Sequence, residues 1–163
     1  MEEAGSTAVR DWLADASGLA TSALTYVEAR SALARRRRAR ELAPADHRTI
    51  VRTLDVDWQR YVVIEARDVV LGEAVRLADA HALRGYDAIH LASAVLLRRR
   101  LEDRVALASW DDDLDAAAGD EGFEVLRRPP LTCPRGEDVL RPPATGTPLA
   151  APTARIAVAD LLP

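Results

Sequence analysis

The chain has 163 residues, 48% hydrophobic and 29% charged, enough for one ordinary globular domain with its own core. Its formal charge of −4 argues against a protein that coats nucleic acid by bulk charge, and the single cysteine, Cys133, excludes an internal disulfide framework and a cysteine-only zinc site. No apolar run approaches the roughly 20 residues of a membrane span, and the start MEEAGSTAVRDW lacks a secretory pattern, so a soluble cytoplasmic protein is expected.

In chain order, Val9, Trp12, Leu13 and Ala16 place one apolar stripe on a helix over about 7–16. No strand precedes it. Leu19 to Leu24 is a short, turn-bounded apolar run and reads as a strand. A helix of about 26–40 follows, with Tyr26, Ala29 and Leu33 on one stripe and Arg35–Arg38 at its end. Ile50, Val51, Leu54 and Trp58 define a helix after Pro44, and the β-branched run 61–64 a strand. Next come a helix over 67–83, ending near Gly85, and another from Asp87 to Arg100. The run Val105–Ser109 reads as a strand, 111–118 as a short helix and 123–126 as a last strand. Strands alternating with helices predict an α/β fold with a parallel sheet.

Composition shifts after about Arg128. Eight of the nine prolines lie between Pro129 and Pro163, which separates a body over 1–128 from a Pro/Ala/Thr-rich tail over 129–163. Such a tail buries too little apolar surface to offset its ordering entropy and is expected to be largely disordered. Within it, residues 155–162 are apolar enough for a short ordered element.

Ligands of an open parallel sheet bind at the carboxyl ends of its strands, so acids there are candidates. Glu28 lies just beyond the first strand, Asp87 opens a helix after Gly85-Tyr86, and Asp111 follows the Val105–Ser109 strand, with Asp112 and Asp113 behind it. Each has a structural explanation. Thr25 and Glu28 have the spacing of a capping box, and Asp87 and Asp111 stand where N-cap aspartates stand. Taken together, three carboxylates from unrelated segments at one sheet edge would repel unless a cation relieved them. All-oxygen ligands favour Mg²⁺ or Mn²⁺ over zinc and suit metal-assisted hydrolysis of a phosphodiester.

The segment Leu-Arg-Gly-Tyr-Asp-Ala-Ile-His-Leu-Ala-Ser-Ala-Val-Leu-Leu (83–97) closely resembles the region around the third acidic residue of PIN-domain ribonucleases, especially VapC-type toxins of toxin–antitoxin pairs. Residues 19–29 resemble the family's second acidic segment, and 106–114 the fourth. The likeness runs over most of residues 4–128, and Tyr-Asp-Ala-Ile-His-Leu-Ala is its most specific part. It implies a three-layer α/β/α PIN-like fold, a divalent metal such as Mg²⁺ or Mn²⁺, endoribonuclease activity on RNA, homodimerisation and a cognate antitoxin. By motif, the resemblance makes Glu28, Asp87 and Asp111 catalytic and metal-site acids, Asp113 an additional metal ligand, and Ser109 a supporting polar residue.

One departure from the pattern concerns the family's first strand, which is central in its sheet and ends in an aspartate. The likeness begins only at Glu3-Ala4-Gly5-Ser6, and no aspartate takes that place by motif, since Asp11 and Asp15 lie on the first helix. The expectation is therefore a fold lacking its central first strand, either because the start lies upstream or because the chain is a remnant. The alternative function is a catalytically inactive PIN-like protein that only binds an antitoxin or other partner.

Other residues have plainer readings. His47, His81 and His90 are expected to be packed or hydrogen-bonded, and Trp12, Trp58 and Trp110 to pack. Arg35–Arg38 and Arg98–Arg100 are expected to be solvated helix ends that suit the dipole, with RNA-phosphate guidance as a weaker reading. Cys133 is expected to be inert.

Overall fold

In the computed structural model, residues 14, 16–101, 104–126 and 156–159 are described. The order is β1 (Gly18–Ser22), α1 (Ala23–Arg38), α2 (Pro44–Trp58), β2 (Val62–Ile64), α3 (Asp68–His81), α4 (Gly85–Leu101), β3 (Val105–Ala108), α5 (Asp112–Asp120), β4 (Glu124–Val125) and β5 (Ile156–Ala159). The helix expected over 7–16, with Trp12, Asp11 and Asp15, and the tail cysteine Cys133 lie outside the described residues, Ala14 and Ala16 excepted.

Among the described residues five strands are parallel, in the order β2-β1-β5-β3-β4, as the strand–helix alternation predicts. The fold is α/β. The middle position of the sheet, where the family's first strand was not expected, is filled from elsewhere in the chain. Ile156–Ala159 occupies the slot between β1 and β3, pairing Ala20 with Val158 on one side and Leu107 with Val158 on the other. Physically this is what the slot demands, because two neighbouring strands without a partner would leave rows of backbone N–H and C=O groups unsatisfied. The partner comes from the far end of the sequence, within the segment where an ordered element over 155–162 was expected. The rest of the Pro-rich 129–163 stretch lies outside the described residues.

Helix α4 organises the core. Ala88, Leu91, Ala92, Ala94 and Val95 are each at most 1% exposed, so this helix is buried on most of its surface. It packs along α3 and against β1, β3 and β5. Alanine at 88, 92 and 94 keeps the helix slim enough to be packed on several sides, and Leu77 from α3, Leu107 from β3 and Leu114 from α5 belong to the same buried cluster. This core of Ala, Leu and Val follows from the scarcity of aromatics. Phe123 is the aromatic in this core, while three others pack together elsewhere: Trp58 lies on Tyr26 at 5.1 Å between ring centroids and on Tyr61 at 6.0 Å. That contact ties α1 to the end of α2.

Two helix starts differ from the sequence reading. β1 ends at Ser22, two residues before the predicted Leu24, because Ser22 caps α1 by accepting a hydrogen bond from the Leu24 N–H. Thr25 is consequently inside the helix, buried, with its hydroxyl accepting from Thr21 at 2.8 Å, and it caps nothing. Likewise α4 starts at Gly85, which puts Asp87 in its first turn rather than at its cap. Asp111 does cap α5, its Oδ1 accepting from the N–H groups of Asp113 at 3.0 Å and Leu114 at 2.9 Å.

Candidate active site

The chain runs outward from β1 to β2 at one edge, then crosses back to β3 and on to β4 at the other. The carboxyl ends of β1 and β3 thus flank the point where the winding reverses, the usual place for a crevice in such a sheet. Glu28 follows β1, Asp111 follows β3, and Asp87 opens the helix packed against both strands.

Electrostatics ties these three together. Burial, and then the Asp111 carboxylate, push the Asp87 carboxyl above the ordinary aspartate range. Glu28 adds to that rise, while Arg84 and His90 oppose it. Asp87 is half-buried and has like charges from two other segments, and a cation is the simplest relief for such a group.

Glu28 is not spent on a capping box. The start of α1 at Ala23 leaves it more than one turn inside the helix, and its Oε2 lies 3.0 Å from His90 Nε2 across to α4. His90 is 2% exposed, one turn along the same helix from Asp87. Asp111 is partly committed: Oδ1 holds the amides of α5. Ser109, 4% exposed, accepts from the Asp111 N–H at 3.1 Å and donates to Asp115 Oδ1 at 2.7 Å, so it fixes the loop that carries Asp111. Asp113 is exposed on the first turn of α5 and is not among the groups that shift Asp87.

Two features escaped the sequence reading. Asp115 is drawn in by Ser109, and its spacing of four from Asp111 on a helix was the available signal. Arg84, exposed just before α4, acts on Asp87, and its position three residues ahead of that acid was the signal.

The remaining candidates fall away from this cluster. His81 is hydrogen-bonded to Glu121 at 3.0 Å, as expected for a structural histidine. Arg35 bonds Ser31, and Arg35–Arg38 stay exposed at the helix end. Arg98 and Arg99 are not a merely solvated end. The Arg98 guanidinium lies 3.9 Å from the Phe123 ring centroid and donates to the Glu121 carbonyl, while Arg99 pairs with Glu73.

The donor set suits a hard divalent cation, since Glu28, Asp87 and Asp111 offer only oxygens. Among the described residues, no three His, Cys, Asp or Glu side chains gather closely enough to enclose an ion unaided. Mg²⁺ does not require such a cage, because it keeps several waters and is commonly held by one or two carboxylates together with substrate phosphate oxygens. No helix among the described residues is long and apolar enough to cross a membrane.

The pattern of the PIN domain family matches residues 2–120. Ribonuclease VapC45 of Mycobacterium tuberculosis (strain CDC 1551 / Oshkosh) is 35% identical over 105 residues, covering 64% of this chain and 71% of that relative. Ribonuclease VapC49 of Mycobacterium tuberculosis (strain ATCC 25618 / H37Rv) matches to the same extent, 35% over 105 residues. With the parallel α/β sheet and the acids at its carboxyl edge already in place, these matches mean that the chain belongs to the PIN-domain family and, within it, to the VapC type.

Proposed function

We propose that the protein is a divalent-metal-dependent endoribonuclease, the toxin of a toxin–antitoxin pair, which hydrolyses RNA phosphodiester bonds in the cytoplasm. The observation that carries this reading is Asp87, a half-buried carboxylate pushed up by burial and by Asp111 at the carboxyl edge of the sheet. The ribonuclease names of the 35%-identical relatives support the reaction class.

Glu28, Asp87 and Asp111 are the residues that would hold Mg²⁺ or Mn²⁺; Asp113 is the outer candidate, as an exposed neighbour on α5. A bound cation supplies an acidified water and neutralises charge on the phosphate oxygens. The chain's own residues do the positioning. Asp111 is held by its capping bonds and by Ser109, and Glu28 is held by His90. Arg84, next to the acids and exposed, suits a phosphate of the RNA backbone. A small antitoxin protein and a second copy of the chain are the partners in this reading.

The test is cleavage of a mixed RNA substrate by the purified chain with Mg²⁺ or Mn²⁺, against Asp87→Asn and against excess chelator. Cleavage by the wild type should fall at least about 100-fold in Asp87→Asn, the scale on which loss of one electrostatic group in a site acts. Equal cleavage by the two proteins, or cleavage indifferent to chelator, overturns the assignment. Absence of cleavage with retained antitoxin binding would favour the inactive partner-binding alternative.

A further inference from the structure

His90 is 2% exposed, yet it meets the site. Its Nε2 lies 3.0 Å from Glu28 Oε2, and its Nδ1 is buried without a hydrogen-bond partner among the described residues. An unpaired nitrogen inside a packed core carries a cost, so a ring wanted for packing alone would be better replaced by an apolar one.

The geometry selects one tautomer. A proton on Nε2 donates to the Glu28 carboxylate and leaves only a bare lone pair on Nδ1. A proton on Nδ1 would set two lone pairs against each other at Nε2 and Oε2 and also strand an N–H in the core. The ring therefore donates, and Glu28 accepts with Oε2.

We propose that His90 is a positioning residue for Glu28: the buried imidazole fixes the carboxylate's rotamer and commits Oε2, so that Oε1 is the oxygen presented to the divalent cation. This rests on the metal-dependent reading above. The Glu28 side chain is 35% exposed and has three rotatable torsions, so without the ring it would sample several directions. The same α4 turn carries Asp87, so one rigid helix sets two of the acids, one directly and one through a hydrogen bond. Hydrogen bonds that hold a metal-binding carboxylate commonly change metal affinity about 10- to 100-fold.

Two substitutions separate positioning from packing. His90→Gln keeps an N–H near the Nε2 position, whereas His90→Asn keeps one only near Nδ1. Mn²⁺ binding by isothermal titration calorimetry, on the full chain without RNA, should weaken about 10- to 100-fold in His90→Asn and stay close to wild type in His90→Gln. Equal affinity in wild type and His90→Asn, whatever happens to Tm, overturns the proposal, and so does equal weakening in both variants. A wild-type chain that binds no Mn²⁺ overturns the metal reading itself and this proposal with it. Where His90→Asn does not fold, ¹⁵N spectra of the wild-type ring decide. The proton should be on Nε2, and the Nε2 resonance should move as Mg²⁺ is added. A proton on Nδ1, or no response at saturating Mg²⁺, overturns the proposal.

Discussion

Asp87 is where stability and function pull in opposite directions. Its folded pKa lies above the unfolded value of about 3.9, so ionising it costs more in the fold than in the unfolded chain. Below the unfolded value both states are protonated and there is no penalty. The penalty grows as pH rises through the folded pKa and is complete at neutral pH. Asp87→Asn should therefore raise Tm in chelator at pH 7, at about 2–4 °C for each kcal/mol relieved, while abolishing cleavage. The difference should vanish near pH 3. Added Mg²⁺ should stabilise the wild type and not the variant, since a ligand that binds only the folded state adds to its stability. A Tm for Asp87→Asn below that of the wild type in chelator at pH 7 would show that the carboxylate is not under strain. This residue was legible in the sequence because it sits in the most specific stretch of the chain. Glu28 was legible as an acid, but its partner was not. Thr25-Tyr26-Val27-Glu28 has the spacing of a capping box, and only the earlier cap at Ser22 frees Glu28 to reach His90, 62 positions away.

At the scale of elements, an ion-pair network ties together elements that the core also packs. Arg76 on α3 bonds Glu73 at 2.8 Å and Glu121 at 3.1 Å, Arg99 on α4 bonds the same Glu73, and His81 bonds Glu121. Three elements, α3, α4 and the turn after α5, are thereby joined. The Arg76 hydrogen bonds hold both carboxyls below the usual glutamate range, with His81 assisting at Glu121 and Arg99 at Glu73. A depressed carboxyl contributes stability above its unfolded pKa of about 4.3 and loses it as pH falls through the folded value. Wild-type Tm should consequently drop as pH falls below about 4.3 and on through the folded values. Arg76→Met, which keeps the apolar stem, should start lower at pH 7 and show a shallower drop in that window. Parallel curves for the two proteins would mean that the network contributes nothing measurable. The helices themselves were readable from periodicity, including α3, with its stripe of Val70, Ala74, Leu77 and His81. The network was not, because Glu121 is 45 positions from Arg76 and pairwise charge contacts leave no period in a sequence.

For the whole molecule, the sheet depends on its least typical strand. β5 pairs three residues with β1 and four with β3, so each flanking strand has β5 as its inner neighbour. The alternation of strands and helices up to Val125 announces a parallel sheet, but it cannot show that the middle position is filled by Ile156–Ala159. Those residues follow a Pro-rich stretch whose composition points away from structure, and strand pairing over such a distance is a property of the closed fold rather than of any local pattern. The energetic stake is large. Each buried backbone group left without a partner costs about 1–3 kcal/mol, and several together exceed the roughly 5–15 kcal/mol that keeps a domain folded. Removing residues 150–163 should therefore abolish the cooperative thermal transition, with helical circular dichroism partly kept and dye-binding apolar surface exposed. Val158→Pro deletes one ladder N–H from a strand bonded on both sides, and should lower Tm without abolishing the transition. A synthetic peptide of residues 150–163 added to the shortened chain should restore the transition in proportion to its concentration. A shortened chain that melts as cooperatively as the full one would mean that β1 and β3 close on each other, and that the acids following them sit one strand nearer together than this sheet places them.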